Sequence, residues 1–144
     1  TISSRCLKSN IFLNSNQTVK VINFLIETNN IENVIDFNQN ITPGLYLRFN
    51  EIFLKYSIDK NDNIQKQINK LLDAYKKNKN KIIINLTLFL IDKYFFELIK
   101  KNQQNLDSLL NTKSSIIKII NEFTIYNLNI NSVLNSIKIK LNNV

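Results

Sequence analysis

The side chains that usually do chemistry are scarce in this chain. It has no His, so the commonest general base at neutral pH and the commonest metal ligand is missing. Its one cysteine, Cys6, cannot form an intrachain disulfide, and without a histidine it cannot build a Cys-His nucleophile pair or a zinc site. The acidic residues Glu27, Glu32, Asp36, Glu51, Asp59, Asp62, Asp73, Asp92, Glu97, Asp107 and Glu122 are scattered singly and form no motif. A single glycine, Gly44, leaves no phosphate-cradling loop. The expectation is therefore a protein that is not an enzyme, with no catalytic residue, cofactor site or metal site.

What remains is cationic chemistry. Nineteen Lys and Arg against eleven Asp and Glu give a net charge of +8, and seventeen of the nineteen are Lys. An anionic partner is expected: RNA, an acidic protein surface or an anionic membrane surface all fit this charge. The densest positive run is Lys76-Lys77-Asn78-Lys79-Asn80-Lys81. Arg5 and Lys8 make the N-terminal end basic, and Arg48 lies two positions from Tyr46, an aromatic that departs from the apolar stripe of its segment and so is expected to be exposed. Lysines hold phosphates and aromatics stack on bases. The candidate nucleic-acid contacts are thus Arg5, Lys8, Arg48, Lys76, Lys77, Lys79 and Lys81. The plainer role for the Lys76–Lys81 run is a helix C-terminus whose cations complement the macrodipole. Phe49, Phe53, Tyr56, Tyr75, Phe89, Tyr94, Phe95, Phe96, Phe123 and Tyr126 mostly fall on apolar stripes and are expected in the core.

These residues must be positioned by helices. Leu45, Phe49, Ile52, Phe53 and Tyr56 recur at i, i+4, i+7, i+8 and i+11, and Ile64, Ile68, Leu71, Leu72 and Tyr75 repeat the pattern. Each set is one face of a helix. The Asp- and Asn-rich stretch from Ser57 to Asn63 separates them and predicts an antiparallel αα-hairpin. Thr42-Pro43 is a start signal, a capping residue followed by Pro at the first helical position. Upstream, Val21, Ile22, Leu25 and Ile26 predict a helix from Gln17 to about Thr28 with Ser15 or Asn16 as N-cap, and Ile31, Val34, Ile35 and Asn38 a shorter partner.

Downstream, Ile82 to Ile99 is the most apolar segment. Asp92, Lys93 and Glu97 within it argue against a membrane span and for a central helix covered on several sides, with a strand over Lys81 to Ile91 as the alternative. After a polar break at Lys100 to Asn105, Leu106, Leu109 and Leu110 predict a short helix. Thr112 or Ser114 would cap another carrying Ile116, Ile117, Ile120 and Phe123. Tyr126-Asn127-Leu128-Asn129 reads as a turn, after which Ile130, Val133, Leu134, Ile137 and Leu141 predict the last helix. The fold class is all-α: antiparallel helical hairpins, about eight helices in four pairs, packed as a short αα-repeat array or a compact bundle. Residues 1–15 read as an arm or short helix and 16–144 as one domain. Excess Asn, Ile and Lys, all with AT-rich codons, reflects base composition as much as selection on the protein.

The helix-turn-helix spacing resembles tetratricopeptide and pentatricopeptide-like repeats. Tyr46 to Asn80 is the closest unit, with Ala74 where such repeats favour a small residue, although the Trp-Leu-Gly-Tyr and Pro signatures are absent. The resemblance implies an organellar RNA-associated protein: a structural component of a ribonucleoprotein, foremost a mitochondrial ribosome, touching RNA through Lys faces and other subunits through helical surfaces. The alternative is a helical protein-interaction module, either a subunit of another large assembly or a groove-bearing bundle like the viral Bcl-2-like proteins, in the cytoplasm or elsewhere. The first predicts a basic surface concentrated on one side. The second predicts an exposed apolar groove and scattered Lys.

Overall fold

The computed structural model describes residues 13–35, 41–101 and 105–142. Arg5, Cys6, Lys8 and most of the expected N-terminal arm lie outside them, as do Asn38 and the chain end after residue 142. Six helices form: α1 (Ser15–Asn29), α2 (Pro43–Lys55), α3 (Ile64–Asn78), α4 (Lys81–Lys101), α5 (Leu106–Tyr126) and α6 (Ile130–Asn142). No strand occurs among the described residues, so the strand reading of Lys81 to Ile91 is replaced by the first half of α4.

Asparagine punctuates these helices, which gives the Asn-rich composition a structural use. Asn14 and Gln17 cap α1 reciprocally, each side-chain oxygen accepting the other's backbone N–H at 2.9 Å. The cap is Asn14, one or two positions before the expected Ser15 or Asn16. Thr42 caps α2 ahead of Pro43 as expected, and Asn63 caps α3 by accepting from Lys66 N at 2.8 Å. At the C-terminal ends, where glycine usually takes the left-handed conformation, Asn30 (φ 51°), Lys79 (φ 51°) and Asn127 (φ 50°) take it instead. Asn tolerates this conformation better than most residues because its short polar side chain can bond locally.

Helices α3 to α6 form a closed bundle. Each packs on the next, and α6 returns against α3. The two ends that meet prove the direction: Tyr75 of α3 and Phe123 of α5 contact edge to face at 5.8 Å, and Lys79 and Asn127, which end those helices, are bonded to each other. Thus α3 and α5 finish at one pole, where α4 and α6 begin. Closure makes this a bundle; an open repeat array would leave α3 and α6 apart. The core is built from Ile68, Leu71 and Leu72 of α3, Ile83, Leu86, Ile91 and Phe95 of α4, Ile116, Ile120 and Phe123 of α5, and Ile137 of α6, all essentially inaccessible. Burying each such side chain contributes about 1.5–3 kcal/mol before entropy is counted. Helix α4 is the expected central helix, packed against α2, α3 and α5.

Three expectations are corrected. The hairpin read across Pro43 to Lys77 has both its helices, but α2 and α3 do not pack on each other; α2 packs on α1 and α4. The connection between them lies along α3 instead. Tyr56 Oη accepts from Asn78 Nδ2 at 2.8 Å, the Ser57 carbonyl from Lys70 Nζ at 2.8 Å, and the Asp59 carbonyl from Gln67 Nε2 at 3.0 Å, so the linker descends α3 from its end towards its start. Second, residues 31–35 are not helical. Third, Leu106 to Tyr126 is one helix and not two: the stripe of Leu109, Ile116, Ile120 and Phe123 runs unbroken through Thr112, which lies half-buried on it, and past the exposed Ser114. Six helices in the described residues therefore stand where eight were expected.

Candidate interaction surface

The pole where α3 and α5 end gathers most of the sequence-predicted cations. Lys76 and Lys77 occupy the last turn of α3, Lys79 its cap and Lys81 the first position of α4; all four are exposed. Two helix C-termini and two N-termini meet here, so their partial charges offset across the pole, and the C-terminus of α3 favours only the lysines of its own last turn, Lys76 and Lys77. Lys79 is already engaged: its left-handed backbone N–H donates to the Tyr75 carbonyl at 2.7 Å, while its ammonium donates to Asn127 Oδ1 at 2.6 Å and sits 5.4 Å from the Tyr75 ring centroid. That bond holds the α5–α6 turn beside the lysines. The turn carries Ile125 (71% exposed), Tyr126 (69%) and Leu128 (39%). Cations and bare apolar side chains thus share one end of the bundle.

Arg48 does not join them. It is exposed on α2, whose Phe49 packs against Phe89 at 5.4 Å, two turns along α4 from Lys81. Arg5 and Lys8 lie outside the described residues. Other cations are spread widely, with Lys100 and Lys101 in the last turn of α4 at the opposite pole. There Lys100 Nζ stands 4.4 Å from the centroid of Phe96, which is half exposed.

The aromatic expectations change in both directions. Tyr46, expected outside, is wholly buried, and its hydroxyl reaches the Asn33 side-chain oxygen and, at 2.7 Å, the Ile35 carbonyl. Tyr126 and Phe96, expected in the core, are exposed. No local sequence signal marks Tyr46 for burial: its partners Asn33 and Ile35 lie upstream of its helix, in the segment that Asn50 one turn later also serves. The signal for Tyr126 was its place as the last residue of α5, beyond the end of the core stripe.

A cavity of about 270 Å³ opens between residues 34–35, α2, the α2–α3 linker and α4, lined in part by Val34, Phe53, Lys60, Asp62, Lys93 and Glu97. Of its charged groups, Asp62 serves the fold. Asp62 accepts from Lys66 Nζ at 2.6 Å and from Lys70 Nζ at 3.1 Å. The Lys66 bond is the largest influence on the Asp62 carboxyl and holds it below its ordinary pKa against a partial desolvation that opposes it; Lys70 adds to the lowering. Lys66 is raised in return, chiefly by the same bond. Asp92 of α4 meets Lys113 of α5 at 2.7 Å. Among the described residues no three His, Cys, Asp or Glu side chains cluster as metal ligands would, and no helix is long and apolar enough to cross a membrane.

No family of proteins, no curated protein and no solved structure matches this chain.

Proposed function

We propose that this chain is a non-catalytic helical interaction module, a subunit of a larger protein assembly. The observation that carries this reading is the set of large apolar side chains left more than half exposed, Phe24 on α1, Phe96 on α4, Ile125 and Tyr126 on α5 and Ile139 on α6. Single exposed apolar residues are ordinary, but here they occur on four of six helices, as they would in a piece of a larger structure with neighbours on several sides. The distribution of cations points the same way. Lysines at both poles and along the flanks suit several separate contacts better than one continuous phosphate track.

A second reading, a structural component of a ribonucleoprotein such as a mitochondrial ribosome, is favoured by the Lys76–Lys81 pole alone, where Lys76, Lys77 and Lys81 are exposed together. Sedimentation of the native protein from lysate, with and without ribonuclease, separates the two. The module reading expects fast migration unchanged by nuclease, together with co-migrating protein subunits. Collapse of the fast species on nuclease treatment supports the second reading. Slow migration as a lone chain overturns both.

A further inference from the structure

We infer that the pole formed by the ends of α3 and α5 is the docking surface for an acidic segment of a partner protein, one that also presents an apolar anchor. The inference rests on the interaction-module reading and names its surface and the chemistry of the partner. Three exposed cations, Lys76, Lys77 and Lys81, stand at the same pole as three exposed apolar side chains, Ile125, Tyr126 and Leu128. The Lys79–Asn127 bond fixes the turn against the end of α3, so the two halves of the surface are pre-assembled and little ordering remains to be done on binding. Carboxylates steered by the lysines and an apolar group covering Ile125 and Tyr126 would complete both halves at once.

The composition of the pole selects among anionic partners. A single-stranded nucleic acid bound by base stacking would need successive aromatic platforms, and Tyr126 is the one exposed aromatic here, flanked by the aliphatic Ile125 and by Leu128 two positions on. A lipid surface would have to take in the exposed amides of Asn127 and Asn129 that interrupt the apolar residues, and unpaired amides are costly in an acyl environment. A second copy of the chain would bring +8 against +8. A polypeptide rich in Asp or Glu answers each group: carboxylates for the lysines, backbone for the amides, a side chain for the apolar patch.

Zero-length carbodiimide crosslinking tests this, since it joins a Lys amine directly to a carboxylate. It is applied to the full-length protein purified with its native partners, and the joined peptides are identified by mass spectrometry. Lys76, Lys77 or Lys81 joined to Asp or Glu of one partner polypeptide is the expected result. The triple variant Lys76→Glu, Lys77→Glu, Lys81→Glu should lower the recovered amount of that polypeptide about ten-fold or more. The control Lys20→Glu, Lys101→Glu, Lys138→Glu, with the same change in net charge, should leave it within about two-fold. Intermolecular crosslinks confined to lysines elsewhere, or equal loss in both triples, overturn the inference while leaving the module reading in place. Retained partner alongside lost binding of a labelled poly(U) strand or of phosphatidylserine vesicles also overturns it and reassigns the pole. Absence of any protein partner removes both. Circular dichroism of the triples shows whether each folds, and the crosslinks on the unmodified protein decide the matter if the variant does not.

Discussion

Asn50 Oδ1 accepts the backbone N–H of Ile35 at 3.2 Å, fifteen residues earlier in the chain. The same oxygen accepts from Val34 N at 3.0 Å, while Asn50 Nδ2 donates to the Tyr46 carbonyl at 3.0 Å. One buried amide therefore pairs the Val34 and Ile35 N–H groups, which a helix over these residues would have paired with its own carbonyls. Buried backbone groups must be paired, and here a side chain of α2 pairs them. Asn50→Ala should leave both N–H groups orphaned and cost about 2–4 kcal/mol. Urea unfolding gives the loss. Amide exchange should locate it, with Val34 and Ile35 exchanging faster than the α3–α6 core; unchanged exchange at both would show that the amide does not anchor the segment.

This pairing also marks where sequence reading stops. Periodicity exposed α2, α3 and α6 because each keeps one apolar stripe, and α4 because it is apolar nearly all round; Leu109, Ile116, Ile120 and Phe123 show one stripe for α5 once Thr112 is recognised as part of it. Ile31, Val34 and Ile35 have the same local spacing, yet their structure is set by Tyr46 and Asn50, which no local pattern reveals. The partner of each helix was equally hidden. Equivalent stripes on α2 and α3 say that each needs a neighbour, and not that α2 turns to α1 and α4 while the linker occupies the flank of α3. Of the candidate surface, the lysines were legible as a run. Of the apolar half, the turn over Tyr126 to Asn129 was legible, but the exposure of Ile125, Tyr126 and Leu128 was not, because apolar residues that follow a core stripe read as more core.

Closure of the bundle by α6 gives a prediction about cooperativity. In an open array, removing the last unit leaves the others folded. Here α6 covers both α3 and α5, so ending the chain after Tyr126 would uncover Phe123, Ile116 and Ile120, now almost inaccessible. The truncated chain should lose cooperative unfolding altogether and bind a hydrophobic dye. A sharp thermal transition from the truncated chain, with helix content reduced only by the missing helix, would contradict closure.

The Asp62–Lys66 pair predicts a pH window. The native Asp62 carboxyl has a lowered pKa, so its contribution is full above the unfolded value of about 3.9 and is lost as pH falls through the lower folded value. The native Lys66 ammonium has a raised pKa, so its contribution holds below about 10.4 and fades as pH rises through the higher folded value. The stability difference between the unmodified protein and Asp62→Asn should therefore be flat across neutral pH and shrink at both extremes. Added salt should reduce it throughout, because Lys66 is largely solvent-exposed. A difference that persists below the native Asp62 pKa would mean that the carboxylate charge is not what holds the linker to α3.

Ser57 offers the opposite kind of test, a substitution that should stabilise. Its φ of 48° lies in the left-handed region, where a Cβ crowds the backbone, and its side chain is exposed. What the fold uses at this position is backbone: the N–H donates to the Leu54 carbonyl at 3.2 Å, and the Ser57 carbonyl accepts from Lys70 Nζ at 2.8 Å. Ser57→Gly keeps both bonds and removes about 1 kcal/mol of conformational strain, part of which the freer unfolded chain takes back. The net gain should be about 0.5 kcal/mol, a rise in Tm of about 1–2 °C. Ser57→Val should move the other way by about 1–2 kcal/mol, since a β-branched residue is the least tolerant of positive φ. Calorimetry on the pair reads the sign directly. If valine proves as stable as glycine, the turn after α2 does not hold a left-handed residue, and the path of the linker along α3 must be redrawn.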